Sequence, residues 1–438
     1  MLSSMRLPFK ILPMHKRSRV LVIGTTADYI EWIRTARPDQ VVFITAPDVR
    51  QRAHEPEPSV IEEVLCDLTD ERDVFHSLKA HLALFDLHPV GVTCFDCESL
   101  ALAASIAKWL GLSFPSTEAI DHCRDKILSK SLWQKYGIDC PDFSLVRSAE
   151  NVLAFFSSIR GRCVLKPVSG SGSELVYVCD SVQSCQTNFE IIQEQLGRRR
   201  RNRLYTTRDS LAPRIIAEEC VEGEEYSCDF LLEGERVRVI RVTRKIKAAH
   251  KPFGTTRAYI MPASLPRHFT ETLLPRALSE GARALALTRS LCMADFIIRD
   301  NRIVFLEMTP RPGGDCLPYL LRRSCSLDIL GLAIDFAANR PVSLPNTDRM
   351  PPHVGVRLHA EKAGILKHLE AGDLLEDPGV LEVHFPRHPG HEIILPPADY
   401  DTWLLGHIIF SPASGADPES ECNNLCKRII VEIEQVPS

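Results

Sequence analysis

The sequence lacks long hydrophobic runs and any pattern of paired cysteines. No stretch reaches the roughly 18 apolar residues that a membrane-spanning helix requires, and residues 1–19 lack the uninterrupted apolar core of a signal peptide. The 15 cysteines follow no disulfide framework, and the single Cys-x-x-Cys motif, at Cys94 and Cys97, has no second ligand pair nearby to complete a zinc site. These absences favour a cytoplasmic protein with reduced, mostly buried thiols and no membrane partner.

A strong charge of one sign is also missing. The formal net charge is −5 over 438 residues, which gives no reason to expect nucleic acid as a partner. Hydrophobic residues make up 45% of the chain and charged residues 25%, as in an ordinary soluble protein. Because there is no internal repeat or low-complexity segment, a chain of this length is expected to form about two to four globular domains.

The first part of the chain has the alternating pattern of an α/β domain. Predicted elements are strands at 19–24, 40–45 and 88–94 and helices at 29–36 and 99–110. Gly24 ends the first strand, but the second and third glycines of a dinucleotide-binding Gly-x-Gly-x-x-Gly motif are missing. We therefore predict a Rossmann-like domain without a bound dinucleotide.

A loop rich in glycine and serine lies between predicted strands at 163–166 and 175–178. It consists of Ser169, Gly170, Ser171, Gly172 and Ser173. Its backbone N–H groups and hydroxyls can bind a polyphosphate, to which Lys166 at the strand end adds charge. The loop is not a P-loop, because no Gly-Lys-Ser/Thr closes it and a strand follows it. A plain flexible hairpin loop is the alternative.

Four further segments are interpreted as parts of a binding site or as solvated surface. Lys126 lies in the first turn of a helix predicted at about 125–136, where its charge opposes the helix dipole and favours a phosphate partner. The acidic connector after a strand at 214–218 can contact an adenine through its backbone, and Glu225 can accept hydrogen bonds from a ribose. The cation-rich segment 244–257 suits a carboxylate or phosphate group. The basic run 198–203 is predicted to be a solvated loop without chemistry.

Two carboxylates on a predicted β-hairpin form the candidate metal site. Strands at 293–298 and 303–308 flank turn residues, and a three-residue loop would place Asp295 directly across from Glu307. A two-residue loop would put the two acids on opposite faces, so we predict the three-residue loop, 300–302. Adjacent carboxylates repel unless a cation lies between them, and such hard oxygen ligands suit Mg²⁺. A solvated hairpin with two incidental acids remains the alternative on these residues alone.

The remaining predicted elements are helical at 273–287 and 316–338, followed by a proline-rich linker at 345–352. Short strands at 354–358, 383–385, 392–395 and 407–410 and a helix at 418–431 complete the chain.

Taken in chain order, these motifs resemble the ATP-grasp superfamily. The resemblance covers roughly residues 120–335 and rests on the ordered set rather than on any one motif. It implies an α/β (α+β) fold with an ATP-grasp domain at 119–340, divided into a lid at about 145–217 and a catalytic part at about 218–340. It further implies a Rossmann-like domain at 1–118 before it and a small β-rich domain at 341–438 after it.

Residue roles follow from the same resemblance. ATP phosphates are expected to bind Lys126, Lys166 and the loop 169–173, while adenine and ribose contact Glu218, Cys220, Val221 and Glu225. Mg²⁺, with Mn²⁺ as an alternative, would bind Asp295, Glu307 and Thr309. The expected catalytic residues are Arg311 and Arg257, which would hold the substrate carboxylate and the acyl phosphate, and Asp315 would receive an incoming ammonium group.

Two positions depart from the family pattern. Thr309 stands where the family usually has asparagine, which puts a second metal ion in doubt. In place of the usual Gly-Val after the phosphate loop, the chain has Glu174, Leu175 and Val176.

The resemblance implies an ATP-dependent ligase that activates a substrate carboxylate as an acyl phosphate and joins it to an amine, with amino acids as the expected substrates. Its partners would be these small molecules. Two alternatives are a biotin-carboxylase-like or purine-pathway enzyme, and a non-catalytic ATP-binding protein. The oligomeric state is left open, with a homodimer among the alternatives.

Overall fold

A computed structural model describes residues 17–200, 202–206, 213–345 and 350–435. The interpretation of the N-terminal residues as lacking a signal peptide falls mainly on 1–16, which lie outside these ranges, as do Arg201 of the basic run and residues 346–349 of the predicted linker. Within the described ranges, every helix is too short or too polar to cross a membrane.

The chain begins with a parallel sheet, as its sequence predicts. Its elements are β1 (Ser18–Ile23), α1 (Ala27–Ala36), β2 (Val41–Thr45), α2 (Pro47–Gln51), β3 (Glu63–Leu65), α3 (Glu71–Phe85), β4 (His88–Thr93), α4 (Leu100–Leu110) and α5 (Thr117–Arg124). The strand order is β3-β2-β1-β4, all parallel. The sequence prediction missed β3 and α3. Only Val74 and Leu78 of α3 are buried, so its apolar periodicity is weak, although Asp70 caps its first turn.

A four-stranded antiparallel sheet with three helices follows. Its elements are α6 (Lys126–Lys135), β5 (Phe143–Val146), α7 (Ala149–Ser158), β6 (Cys163–Pro167), β7 (Tyr177–Cys179), α8 (Val182–Arg198) and β8 (Ile215–Glu219). The order is β5-β8-β6-β7. Side chains of Asp125, Ser148 and Ser181 accept hydrogen bonds from the first turns of α6, α7 and α8, which fixes where each helix starts.

The rest of the chain builds one large sheet and one small one. Its elements are β9 (Glu224–Glu233), β10 (Arg236–Lys247), β11 (Thr256–Met261), α9 (Leu274–Ala284), β12 (Arg289–Arg299), β13 (Arg302–Thr309), α10 (Leu317–Cys325), α11 (Ile329–Ala337), β14 (His353–His359), β15 (Gly364–Glu370), β16 (Val380–His384), β17 (Glu392–Ile393), β18 (Leu404–Phe410), α12 (Pro418–Lys427) and β19 (Ile430–Glu434). The large sheet runs β13-β12-β9-β10-β11-β14-β18-β16, and the small one β17-β15-β19.

Two expectations about these elements are corrected. The helix predicted at 418–431 ends at Lys427, and its last residues belong to β19, where alternate residues are more buried. The segment predicted as a cationic loop, 244–257, is strand at both ends and loop only between Lys247 and Thr256. Three strands from the C-terminal part, β14, β16 and β18, continue the large sheet. The predicted domain boundaries stay predictions.

The hairpin of β12 and β13 pairs Asp295 with Glu307, as predicted, but its loop length differs from the prediction. Its loop has two residues, Asp300 and Asn301, with φ of 52° and 59°, the positive values of a type I′ turn. The predicted three-residue loop is therefore wrong. A β-bulge at Leu306 adds the residue that brings the two acids back into register, because Phe296 pairs with Phe305 and Asp295 with Glu307.

A completely buried ion pair lies within the large sheet. Arg241 Nε donates to Asp229 Oδ2 at 2.6 Å, and both side chains are inaccessible to solvent. The remaining guanidinium nitrogens of Arg241 donate to Ser227 and Thr243, and Asp229 Oδ1 accepts from the backbone N–H of Gly313 at 2.8 Å. The pair thus joins β9 and β10 to the loop after β13.

Replacing Arg241 with methionine is expected to lower the free energy of unfolding by about 3–5 kcal/mol, because it leaves the Asp229 charge buried without a partner. Urea unfolding measures the loss. Arg276→Met on α9, where the arginine side chain is 77% exposed, is the matched control and is expected to change stability by no more than about 0.5 kcal/mol. Equal unfolding midpoints for the two variants would contradict the prediction.

Candidate active site

Two adjoining cavities lie between the four-stranded sheet and the large sheet. The space of the first, including the part that is open to solvent, is about 870 Å³, and that of the second is about 1070 Å³. Residues from four separate parts of the chain line both cavities and form the wall between them: Lys126, Gly170, Ser171, Gly172, Ser173, Lys245, Asp295 and Glu307. All but Lys245 are site residues that the sequence predicted.

A buried carboxylate between two lysines closes one end of the first cavity. Glu218 lies 2.8 Å from Lys166 Nζ and 3.0 Å from Lys130 Nζ. Burial alone would raise the pKa of Glu218, but the two ammonium groups outweigh it and lower the pKa. Lys130 is completely buried, and burial lowers its pKa to about 8. Because Glu218 is already paired twice, its carboxylate serves first to hold Lys166 at the cavity.

A second group of alternating positive and negative side chains lines the first cavity. Lys245 Nζ lies 2.7 Å from Glu225 and 2.8 Å from Asp295, and Lys247 Nζ lies 3.2 Å from Glu225. Burial acts to raise the pKa of Glu225, but the two lysines lower it to about 2. Burial acts to lower the pKa of Lys245, yet Asp295 and Glu225 raise it well above its ordinary value. Both groups are therefore charged at neutral pH.

The carboxylates of Asp295 and Glu307 have room for a cation. Burial raises the pKa of Asp295; Lys245 counteracts this and Glu307 adds to it. Among the described residues, no donor reaches the buried Oδ1 atom of Asp295. Lys126 Nζ is 4.0 Å from Glu307, beyond a strong ion pair. An orphaned carboxylate oxygen beside a second carboxylate fits a hard divalent cation such as Mg²⁺. Thr309 lines only the second cavity.

Four of the five residues of the glycine-rich loop line both cavities, and Ser169 does not. Gly170, Ser171, Gly172 and Ser173 line them, and Lys126 Nζ donates to the carbonyl of Gly170 at 3.3 Å. Ser169 is buried, and its hydroxyl donates to the carbonyl of Leu204 at 2.9 Å. Its predicted contact with ATP phosphate is corrected: Ser169 lies outside the lining of both cavities and holds the loop in place.

Cys220 and Val221 line the first cavity beside Glu225. They lie in the short connector between β8 and β9, where the backbone is not part of a strand. The backbone N–H of Cys220 donates to the carbonyl of Arg162 at 3.0 Å, and that of Val221 donates to the carbonyl of Glu219 at 3.1 Å, so a planar ligand would compete with these bonds or use the carbonyl side of the connector. The geometry is compatible with the predicted adenine contact, which stays a prediction.

The second cavity carries the groups for an anion. Arg311 and Arg357 line it together with Asp315 and Tyr259. Arg357 Nε lies 2.6 Å from Asp315 Oδ2, and Arg311 Nε donates to Cys97 Sγ at 3.1 Å. A thiol is a weak acceptor, and Arg311 Nη1 donates to the carbonyl of Pro312 at 2.8 Å, so Nη2 is the part of the guanidinium that can bind an anion.

Arg257 does not face either cavity, which corrects its predicted catalytic role. It occupies a β-bulge, since Ile246 pairs with Ala258 and Lys247 with Thr256. The extra residue turns its side chain to the opposite side of the sheet, where it lowers the pKa of Cys426 on α12 through its charge and a hydrogen bond, against the raising effect of burial.

Three residues of the site were missed. Lys130 follows Lys126 by one helical turn, a spacing that places both on one face and could have been noticed. Lys245 lies in the segment predicted as a loop, but it belongs to β10, where strand alternation places it toward the cavities. Arg357 begins the segment Arg-Leu-His-Ala-Glu, which was read only as a fold feature.

The comparisons with known proteins fit this geometry. Residues 159–319, which include β6, the glycine-rich loop and the hairpin of β12 and β13, match the family model described as the ATP-grasp domain. The chain contains an ATP-grasp domain. One structural neighbour, the biotin carboxylase domain of the Hydrogenobacter thermophilus 2-oxoglutarate carboxylase, was solved in complex with MgADP; it superimposes with a TM-score of 0.64, at 16% identity, over 95% of this chain and 90% of that one.

Relatives of this ATP-grasp protein are distant. An uncharacterized protein of Sinorhizobium fredii is 23% identical over 86% of this chain and 76% of its own length. The D-alanine–D-alanine ligase of Acidovorax ebreus is 27% identical over 47% of this chain, and the match spans 59% of that enzyme. The crystal structure of the L-amino acid ligase from Bacillus licheniformis superimposes with a TM-score of 0.74, at 17% identity, over 96% of this chain and all of that one. This last likeness shows the fold.

The charge network around Glu225 predicts a pH dependence of stability. Its pKa of about 2 in the folded ATP-grasp protein lies below the ordinary 4.5, so between these values the unfolded chain binds more protons. The contribution of Glu225 is complete above pH 4.5, and roughly 3 kcal/mol of it is lost as the pH falls toward 2.

Urea unfolding of wild type and Glu225→Gln across this acidic range measures the contribution as a difference that shrinks with falling pH. Glu222→Gln, at a side chain that is 83% exposed, is the matched control and should track wild type. A difference between wild type and Glu225→Gln that does not change with pH would contradict the prediction.

Proposed function

We propose that the protein is an ATP-dependent carboxylate–amine ligase that uses amino-acid substrates. In the proposed reaction, a substrate carboxylate oxygen attacks the γ-phosphorus of ATP, and ADP leaves. The nitrogen of the second substrate then attacks the acyl carbon, phosphate leaves, and the amine gives up a proton to form the amide. The products are the amide, ADP and phosphate.

One observation carries the proposal: the two cavities share a wall that contains the carboxylates, the lysines and the glycine-rich loop. ATP in the first cavity would place its terminal phosphate at this wall, where a carboxylate in the second cavity can reach it. Lys126 and Lys245 lie at the junction, so their charges stabilise negative charge on the transferred phosphoryl group.

Asp295 and Glu307 would hold Mg²⁺, which neutralises phosphate charge when bound. The glycine-rich loop covers the junction and keeps water from the acyl phosphate. Arg311 would bind the carboxylate and then the acyl phosphate, because a guanidinium matches planar oxygen pairs.

The amino-acid assignment is supported by the pairing of Arg357 with Asp315. A cation and an anion within 2.6 Å of one another, at the edge of a cavity, complement the carboxylate and ammonium groups of a zwitterion. Relatives that are named as ligases of D-alanine or of L-amino acids support the same class. The purine-pathway and biotin-carboxylase neighbours share the fold at 13–16% identity and carry no argument for their reactions.

The first experiment is ADP release from Mg²⁺-ATP in the presence of pooled amino acids and small carboxylates. We expect release that requires both a carboxylate and an amine and that disappears in Glu307→Ala. Arg311→Ala should lower kcat on the order of 10²–10³-fold, while Arg302→Ala, at an exposed position of the same hairpin, should retain activity.

Acyl transfer at the wild-type rate in Arg311→Ala would remove the role of this arginine. ATP binding without ADP release from any pool, in wild type as in Glu307→Ala, would instead favour the non-catalytic ATP-binding protein.

The zwitterion site predicts a selective change in KM. Arg357→Met should raise the KM for the amino-acid substrate about tenfold or more, because a charge-assisted hydrogen bond is lost, with little change in the KM for ATP. Steady-state kinetics with each substrate varied in turn measures both constants. Arg387→Met, which removes a guanidinium paired with Asp401 outside both cavities, is the control. An equal rise of both KM values would argue against substrate recognition by Arg357.

A further inference from the structure

Three cysteines lie together at the end of the β6–β7 pair that is remote from the glycine-rich loop. Cys163 is the first residue of β6, Cys179 is the last residue of β7 and pairs directly with it, and Cys185 is the fourth residue of α8. All three side chains are completely buried, and their Sγ atoms lie within 4.8 Å of one another. In the part of the chain that the structure describes, this is the one group of three metal-ligating side chains at such distances.

The spacing suits a three-sulfur metal site. Three sulfurs at about 2.3 Å from a central ion lie roughly 4 Å apart, within the observed limit. Thiolates are soft ligands that select Cu⁺ and Zn²⁺. Structural zinc is almost always four-coordinate, and neither a carboxylate nor an imidazole belongs to this group. A set of three sulfurs without a fourth ligand therefore favours Cu⁺.

The surroundings favour negative charge on the sulfurs. Cys185 lies near the N-terminus of α8, the positive end of the helix dipole. The side-chain amide of Asn188 donates to Cys179 Sγ at 3.5 Å and to the carbonyl of Val178 at 3.0 Å. Donors to sulfur of this kind stabilise metal-bound thiolates.

We propose that Cys163, Cys179 and Cys185 bind one thiophilic metal ion, Cu⁺. Sulfur–copper bonds replace S–H bonds, the released protons go to solvent, and neither copper nor sulfur changes oxidation state. The ion ties the two strands on either side of loop 169–173 to α8. It therefore fixes the ends of these strands that are remote from the loop, and its binding does not depend on the proposed reaction.

The test is a titration of the purified full-length protein with Cu⁺ under anaerobic, reducing conditions, in parallel with Zn²⁺. We expect one Cu⁺ per chain, sulfur-to-copper charge-transfer absorption in the ultraviolet, and an X-ray absorption spectrum with three sulfur neighbours at about 2.3 Å. Cys163→Ala, Cys179→Ala and Cys185→Ala should each weaken binding at least tenfold. Cys66→Ala, at a buried cysteine of the N-terminal sheet region, should bind Cu⁺ like wild type.

Wild-type protein that takes up no Cu⁺, or that binds Zn²⁺ in its place, would overturn the assignment, and the three thiols would then be small apolar residues of the core. The same holds for nitrogen or oxygen neighbours in the absorption spectrum, a measurement that needs no variant to fold. Undiminished binding in a folded Cys185→Ala would also refute the three-sulfur site.

Discussion

Carboxylates can lie close together in a buried cleft only where cations stand between them, and this constraint organises the site. Glu218 has two lysines within 3.0 Å, and Glu225 has two within 3.2 Å. Asp295 shares Lys245 with Glu225 and faces the further charge of Glu307. The hairpin pair has fewer close cations than the other acids, because Lys245 is shared with Glu225 and Lys126 is 4.0 Å from Glu307. A divalent cation would therefore relieve the most repulsion between Asp295 and Glu307.

Single-residue bulges decide which side chains enter the cleft. The bulge at Leu306 brings Glu307 across from Asp295, the bulge at Ile240 turns Arg241 onto Asp229, and the bulge at Arg257 turns that arginine away. In a regular strand, alternate residues share a face, so one extra residue exchanges the two faces beyond it. These bulges lie in the part of the large sheet that is close to the cavities, where they determine which side chains point toward the cavities.

The same feature explains what the sequence could and could not predict. Lys126, Lys166, the glycine-rich loop and the two acids were found because local spacing and residue type identify them, whatever the later packing. Arg257 was misplaced because a bulge leaves no signal in the pattern of apolar residues. The place of Arg357 in the site and the pairing of Glu218 with Lys130 and Lys166 were not predicted. Both depend on segments that are distant in sequence becoming neighbours, which periodicity does not encode.

Contacts that cross between parts of the chain determine how the cavities are covered. The basic run at 198–203, which was expected to be solvated, makes two such contacts: Arg203 donates to the carbonyl of Glu98 at 2.8 Å, and Arg199 donates to that of Pro397 at 2.8 Å. Both hold the four-stranded sheet against its flanking regions. Each hydrogen bond from a charged donor to a neutral acceptor contributes only about 1.5–3 kcal/mol. In the proposed reaction, contacts of this strength would let the cover exclude water from the acyl phosphate and open again for nucleotide exchange.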